Sequence, residues 1–280
     1  MIYTLEAQAK VNIGLRVLGR RADGFHPLKT YFHRVSIADT ITMEILPSST
    51  LYIYIEGNES YIGSGVDLME RAARLFSSET GLVFSLSIHI EKRIPFQAGM
   101  GGGSSDASSV LVALNDHFGR PLSKEKLMEL SLLIGSDVPF FTSGLPAAYA
   151  EGRGEILTPV EPLSYPILIV QKEGEKISTK EAFSKLDERM CIDDRIGPWP
   201  LALEDWKENY INDFDALQSV RKDPKVLEYL EKATFNSTTG SGSAQLLVFK
   251  ETNERKEWFS AFTGAISGLK GIFGVLCCNS

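Results

Sequence analysis

In the first third of the chain apolar and polar residues alternate through short runs, at 41–45 and 51–55, with Pro47, Ser48 and Ser49 between them. A period of two suits strands whose side chains face opposite ways in turn, so these runs predict a hairpin or meander. The period changes over 67–76, where Leu68, Ala72 and Leu75 recur at helical spacing and Gly81 stands beyond as a stop. Alternation returns at 85–90, with Leu86, Ile88 and Ile90 on one face and Ser85, Ser87 and His89 on the other. Helices are predicted over 105–115, from Val110, Leu111 and Leu114, and over 123–134, from Leu127, Leu130 and Leu133 behind a serine cap.

Three prolines gather between Pro159 and Pro166, ahead of an apolar strand at 167–170. They mark the expected division into domains at 1–160 and 161–280. The second part carries helical spacing near 180–188, 213–220 and 225–232, an irregular loop over 193–200, and a strand at 245–249. No internal repeat or low-complexity tract interrupts the pattern.

Size supports the same division, because 280 residues exceed the roughly 100 to 200 of a usual domain. Two domains also suggest a cleft for a ligand. With 43% hydrophobic and 23% charged residues the chain has the composition of a folded protein rather than a disordered one. A net charge of -7 opposes non-specific attraction to nucleic acid or an anionic membrane, so an anionic ligand has to be held locally. No run approaches the ~18 apolar residues of a membrane span, and residues 1–10 lack the basic and apolar regions of a signal peptide. The expectation is a cytoplasmic protein, monomer or weak homodimer, with neither nucleic acid nor membrane as partner. Cys191, Cys277 and Cys278 are odd in number and show no CxxC spacing, which predicts reduced thiols and no zinc site.

The strongest chemical signal follows the strand at 85–90. Ile94 and Pro95 lead into Gly99, Gly101, Gly102 and Gly103, and then Ser104 and Ser105 open a helix. Glycines there let the backbone come close to a ligand and turn N–H groups inward, while the helix start adds unpaired donors and the positive end of its dipole. Polyphosphate is the ligand this arrangement suits. The Gly-Lys-Ser/Thr ending of a Walker loop and the GxGxxG dinucleotide spacing are both absent.

At these residues the chain resembles the GHMP kinase superfamily. Three further segments extend the likeness: Lys10, Asn12 and Gly14 followed by Gly24-Phe25-His26; Gly135-Ser136-Asp137 followed by Gly152-Arg153-Gly154-Glu155; and a serine- and glycine-rich stretch at 237–244. The resemblance implies a two-domain GHMP kinase fold, with an N-terminal ribosomal-protein-like α/β domain and a C-terminal ferredoxin-like α+β domain. It implies ATP with Mg²⁺, bound by Pro95, Gly99, Gly101, Gly102, Gly103, Ser104 and Ser105, with Ser105 as a metal ligand. It also implies a small-molecule acceptor carrying a cytidine diphosphate handle, met by Asn12, Phe25, His26, Asp137, Thr179, Phe183, Gly240 and Ser241. Phe25 replaces the tyrosine usual in that family segment, so a ring face is kept and a hydroxyl lost.

The chemistry of two of these residues can also be read directly. Phosphoryl transfer to an alcohol needs a group that positions the hydroxyl and accepts its proton, and positive charge for the developing oxyanion. Asp137 and Lys10 supply these. Taken alone, Asp137 before Val-Pro also suits a turn or a helix cap, Lys10 a solvated strand end, and 239–243 a plain strand connection. A kinase for homoserine, mevalonate or a sugar, and a non-catalytic nucleotide-binding regulator, are the competing readings. Gly24-Phe25-His26 argues against the first, and the retained Lys10 and Asp137 against the second.

Overall fold

The computed structural model describes residues 1–20, 22, 24–57, 67–171, 179–187, 194–218, 220–265 and 272–275. All three cysteines lie outside them. The chain packs as two compact units that interleave along the sequence: 1–9, 37–96 and 101–145 in the first, and 10–36, 97–100 and 146–280 in the second. This division by packing is a different quantity from the linear one at 160/161. Two long strands, β1 (Ile2–Val17) and β2 (Leu28–Pro47), pair with each other and run through both units.

In the first unit β2 pairs antiparallel with β4 (Phe84–Glu91), Thr40 opposite Glu91 and Pro47 opposite Phe84. β3 (Tyr52–Glu56) lies on the other side of β4 and runs parallel to it. The expected hairpin between 41–45 and 51–55 is therefore not formed. A parallel pair needs a crossover connection, and α1 (Leu68–Thr80) supplies it. Asp67 caps that helix by accepting from Met69 and Glu70 N–H, and Gly81 ends it in the left-handed region at φ 72°. α2 (Gly102–His117), α3 (Lys124–Ile134) and α4 (Val138–Ser143) complete the unit. Ile41, Met43, Ile45, Leu86, Ile88 and Ile90 bury one sheet face against Ala72, Phe76, Val110 and Leu114 of the helices. At roughly 1.5–3 kcal/mol for each large apolar side chain buried, this face sets the register the alternation predicts.

In the second unit Thr30 to His33 of β2 pair with β5 (Ala147–Glu151), which pairs with β6 (Ile156–Pro159). A separate antiparallel sheet has the order β10-β7-β9-β8, from Ile272–Val275, Ile167–Val170, Gln245–Val248 and Phe235–Thr238. α5 (Thr179–Asp187), α6 (Trp206–Asn209), α7 (Pro224–Leu230) and α8 (Thr252–Ala265) accompany it. The helix expected over 213–220 is replaced by two short 3₁₀ turns, Asp215–Leu217 and Val220–Lys222. The cause is local competition: Asp213, Asn212 and Asp215 spend their side chains on backbone groups of β1 and β8.

Asp213 is the most consequential of the three. Its Oδ1 lies 2.6 Å from Arg16 and its Oδ2 accepts from Val17 N–H at 2.8 Å, both charged side chains being buried. Asp213→Ala should leave Arg16 without its carboxylate and cost about 3–5 kcal/mol. Urea unfolding should show the midpoint falling; a loss under about 1 kcal/mol would mean the ion pair contributes little.

Candidate active site

The glycine loop begins as irregular backbone and passes into α2 three residues before the predicted helix start. Gly101 sits at the N-cap in the left-handed region, φ 71°, with no side-chain cap. The first N–H groups of α2 thus have no intrahelical acceptor and are free of a competing side-chain cap. The glycines have different steric reasons. A Cβ on Gly102 would press on Ile94 at 3.0 Å, whereas one on Gly103 would meet nothing nearer than Leu68 at 3.7 Å. Gly103 is exposed, so no protein packing accounts for its missing side chain. The open space over it fits a phosphate approaching those amides. Pro95 is half-buried in the turn that leads in.

Ser104 is half-buried, and its Oγ faces Gly135, whose built Cβ would lie 3.9 Å from it. Ser105 is buried, and its hydroxyl donates to Gln8 C=O at 2.7 Å. Of the two serines expected at phosphate, Ser104 is thus the more accessible. Asp137 occupies the N-cap position of α4, which packs on α2 through the Ser108–Thr142 hydroxyl pair at 2.9 Å. Its carboxylate makes no cap hydrogen bond. A capping requirement therefore does not explain an aspartate there.

Beneath the same helix start lies a cluster that sequence reading missed. Lys92 Nζ contacts Asp39 at 2.5 Å and Asp106 at 2.6 Å, with all three side chains buried. Asp39 also accepts from Arg93 and Ile94 N–H, tying the strand end to the loop. Burial works to lower Lys92, but the Asp106 and Asp39 carboxylates more than offset it and leave it raised. Burial holds Asp106 above the ordinary carboxylate range against the pull of Lys92. The pairing of Asp39 and Lys92 spans 53 positions, and no local pattern announces it.

In the second unit Lys10 is 3% exposed in the interior of β1, which removes the solvated strand-end reading. Its Nζ donates to Asn12 Oδ1 at 2.6 Å and lies 4.9 Å from the Phe32 ring centre. Its backbone N–H donates to Met100 C=O at 3.0 Å, fixing β1 to the first half of the glycine loop. The 239–243 segment does connect β8 to β9, but it is more than a turn. Gln97 and Ala98 C=O accept from Ser243 and Ala244 N–H, and Thr239 Oγ1 accepts from Asn12 N–H at 3.0 Å. Gly99 and Gly240 face each other so closely that a Cβ on Gly240 would lie 2.7 Å from Gly99 O. Asn212 and Gln218 brace the loop from behind through Thr238, Gly240 and Ser241 carbonyls. Ser241 is buried, and Gly240 with it.

The expected acceptor residues cluster only in part. His26 and Phe183 rings lie 5.1 Å apart and are tilted by 30°, while Phe183 also meets Phe214 edge-on in the Leu15, Val17, Ala182 core. Phe25 is exposed, with the Arg153 guanidinium 3.6 Å over one ring face. Thr179 heads α5, and its side chain lies outside the described residues. Among the described residues no three His, Cys, Asp or Glu side chains are grouped to hold a metal, and no helix is long and apolar enough to cross a membrane.

Comparison with known proteins identifies the family. Residues 67–145 match the family model of the GHMP kinases N terminal domain. The chain is 35% identical to 4-diphosphocytidyl-2-C-methyl-D-erythritol kinase of Pseudomonas syringae pv. syringae, over 94% of this chain and 91% of that protein. It is 35% identical to the kinase of the same name from Salinibacter ruber, over 88% and 90%. A crystal structure of 4-(cytidine 5'-diphospho)-2C-methyl-D-erythritol kinase superposes with TM-score 0.77 at 30% identity, covering 98% of this chain and 99% of that one. Methanococcus jannaschii mevalonate kinase shares the fold at TM-score 0.68 and 12% identity, covering 100% and 99%. With the glycine-built helix start, Asp137 at the head of α4 and the buried Lys10, this likeness over nearly the whole length shows that the chain belongs to the 4-diphosphocytidyl-2-C-methyl-D-erythritol kinase family of GHMP kinases.

Proposed function

We propose that the chain transfers the terminal phosphoryl group of ATP to the 2-hydroxyl of 4-diphosphocytidyl-2-C-methyl-D-erythritol, in the non-mevalonate route to isoprenoid precursors. What carries this reading is the open amide-lined start of α2, built with an exposed Gly103, on a chain that matches kinases of that name along its length. The α2 amides hold the phosphates and their dipole end offsets the negative charge. Asp137 accepts the hydroxyl proton as the acceptor oxygen bonds to the γ-phosphorus and ADP leaves, and the Lys10 ammonium balances charge on the reacting oxygens. Mg²⁺ carried by ATP would neutralise phosphate charge when bound, with Ser104 the accessible hydroxyl to hold it and Ser105 turned toward Gln8.

Phe25, His26, Thr179 and Phe183 receive the cytidine end, and Asn12, Gly240 and Ser241 border the acceptor. Since Arg153 covers one face of Phe25, a pyrimidine stacks on its other face or on the His26–Phe183 pair. The same reading makes the protein a cytoplasmic enzyme, monomer or weak homodimer, whose net charge of -7 keeps it off nucleic acid.

A coupled ADP-release assay offering the cytidine-linked methylerythritol, homoserine, mevalonate and galactose tests the acceptor. Turnover is expected with the first compound alone. Phosphorylation of only one of the other three would replace the proposed substrate.

A further inference from the structure

The hydrogen bonds around Lys10 contain a directional constraint that does not depend on any ligand. Thr30 is fully buried on β2, and its Oγ1 lies 2.5 Å from the Gly14 carbonyl oxygen and 2.9 Å from Asn12 Nδ2. A carbonyl oxygen only accepts, so the single hydroxyl proton of Thr30 is committed to Gly14. Thr30 Oγ1 therefore faces Asn12 with lone pairs alone. The Asn12 side chain, 2% exposed, has to present its NH₂ end to Thr30, which turns Oδ1 to Lys10 Nζ at 2.6 Å. Reversal of the amide would set two N–H donors against the ammonium and leave the Thr30 lone pairs unmet, at a buried position where an unmade hydrogen bond is expensive.

The geometry points to Thr30 as a positioning residue for phosphoryl transfer: through Asn12 it fixes the acceptor that holds the Lys10 ammonium in place. The inference rests on Lys10 acting in the reaction. Thr30 itself touches neither nucleotide nor acceptor in this scheme, since both hydrogen bonds of its hydroxyl are internal to the chain. The Gly14 end is anchored as well, because Leu15 N–H on one side donates to Ile211 C=O at 2.9 Å and Gly14 itself holds a left-handed φ of 64°.

The test compares steady-state kinetics of the full chain carrying Thr30→Val, Thr30→Ser or Lys10→Ala, each checked for folding by thermal melting. Thr30→Val keeps the shape and removes the hydroxyl. It should lower kcat on the order of 10- to 100-fold, as expected for a misplaced catalytic group, with KM for ATP and for the acceptor within about twofold. Thr30→Ser should restore kcat to within about threefold of the parent, because the hydroxyl relay returns without the methyl group. Should Thr30→Val not fold, Thr30→Ala reads the same lost hydroxyl. Unchanged kcat in the hydroxyl-free variant, or a Ser variant as slow as the Val one, would overturn the positioning role while Lys10→Ala still abolished turnover. Full turnover in Lys10→Ala would instead remove Lys10 from the reaction, and Thr30 with it.

Discussion

Asp137→Ala is expected to lower turnover by roughly 10²- to 10⁴-fold, the range for losing a positioned proton acceptor, while ATP still binds. An N-cap aspartate replaced by alanine ordinarily costs ~0.5–2 kcal/mol, but the Asp137 carboxylate makes no cap hydrogen bond, so that loss does not apply. Asp137→Asn separates the two things an aspartate can do here. The amide keeps an oxygen that can orient the hydroxyl but cannot take its proton, so turnover near that of the alanine variant assigns the proton-accepting role. Single-turnover kinetics with ATP binding measured by calorimetry provide the check. Undiminished turnover in Asp137→Ala would remove the residue from the mechanism.

Gly99→Ala is expected to damage the site through backbone rather than chemistry. Gly99 lies at φ 75°, and a Cβ there would collide with the Thr239 carbonyl oxygen and crowd Gly242 N at 3.2 Å. Left-handed backbone alone costs an L-residue roughly 1–2 kcal/mol, and the collision has to be relieved by moving one loop off the other. The Ser243 and Ala244 bonds to Gln97 and Ala98 would then open, and the loop bearing the α2 start would lose its partner. Turnover should fall on the order of 10²-fold, with a lower melting temperature. Gly103→Ala is the matched control: its Cβ has ordinary room at 3.7 Å and alanine favours the helix by ~1 kcal/mol. That variant should melt no lower than the parent yet bind ATP more weakly, because the methyl group stands where the phosphate approaches. Equal effects from both substitutions would mean that the two glycines serve the same purpose.

The contrast between those two glycines shows what the sequence can and cannot convey. Glycines massed before a helix announce an anion site, and that reading needs only the motif. Which glycine serves the ligand and which serves the neighbouring loop depends on 239–243 lying against 97–99, a contact across more than 130 residues. Period-two alternation placed β4 and the β2 face correctly, since burial of Leu86, Ile88 and Ile90 enforces it. It could not say that β3 pairs with β4 and not with β2, because alternation is the same on either side of a sheet.

The short runs at 41–45 also hid the true length of β2 and the whole of β1. In β1 the period-two signal fades where residues from Ala9 to Val17 are buried on both faces. Lys10 and Asn12 lie within that stretch, so their burial, which turns a surface lysine into a candidate catalytic one, was not legible locally. Lys92, Asp39 and Asp106 were missed for a related reason. Lys92 just past β4, Asp39 within β2 and Asp106 on α2 each look like ordinary solvated charges until the partners that bury them are known.

Joint action of Lys10 and Asp137 on one hydroxyl is the claim on which the proposed mechanism turns. A crystal structure of the full chain with a non-hydrolysable ATP analogue and the cytidine-linked methylerythritol tests it directly. The γ-phosphate is expected against the amides at the start of α2, and the acceptor's 2-hydroxyl within about 2.6–3.2 Å of both Asp137 and the Lys10 ammonium. A γ-phosphate bound away from α2, or an acceptor hydroxyl out of reach of either side chain, would contradict it.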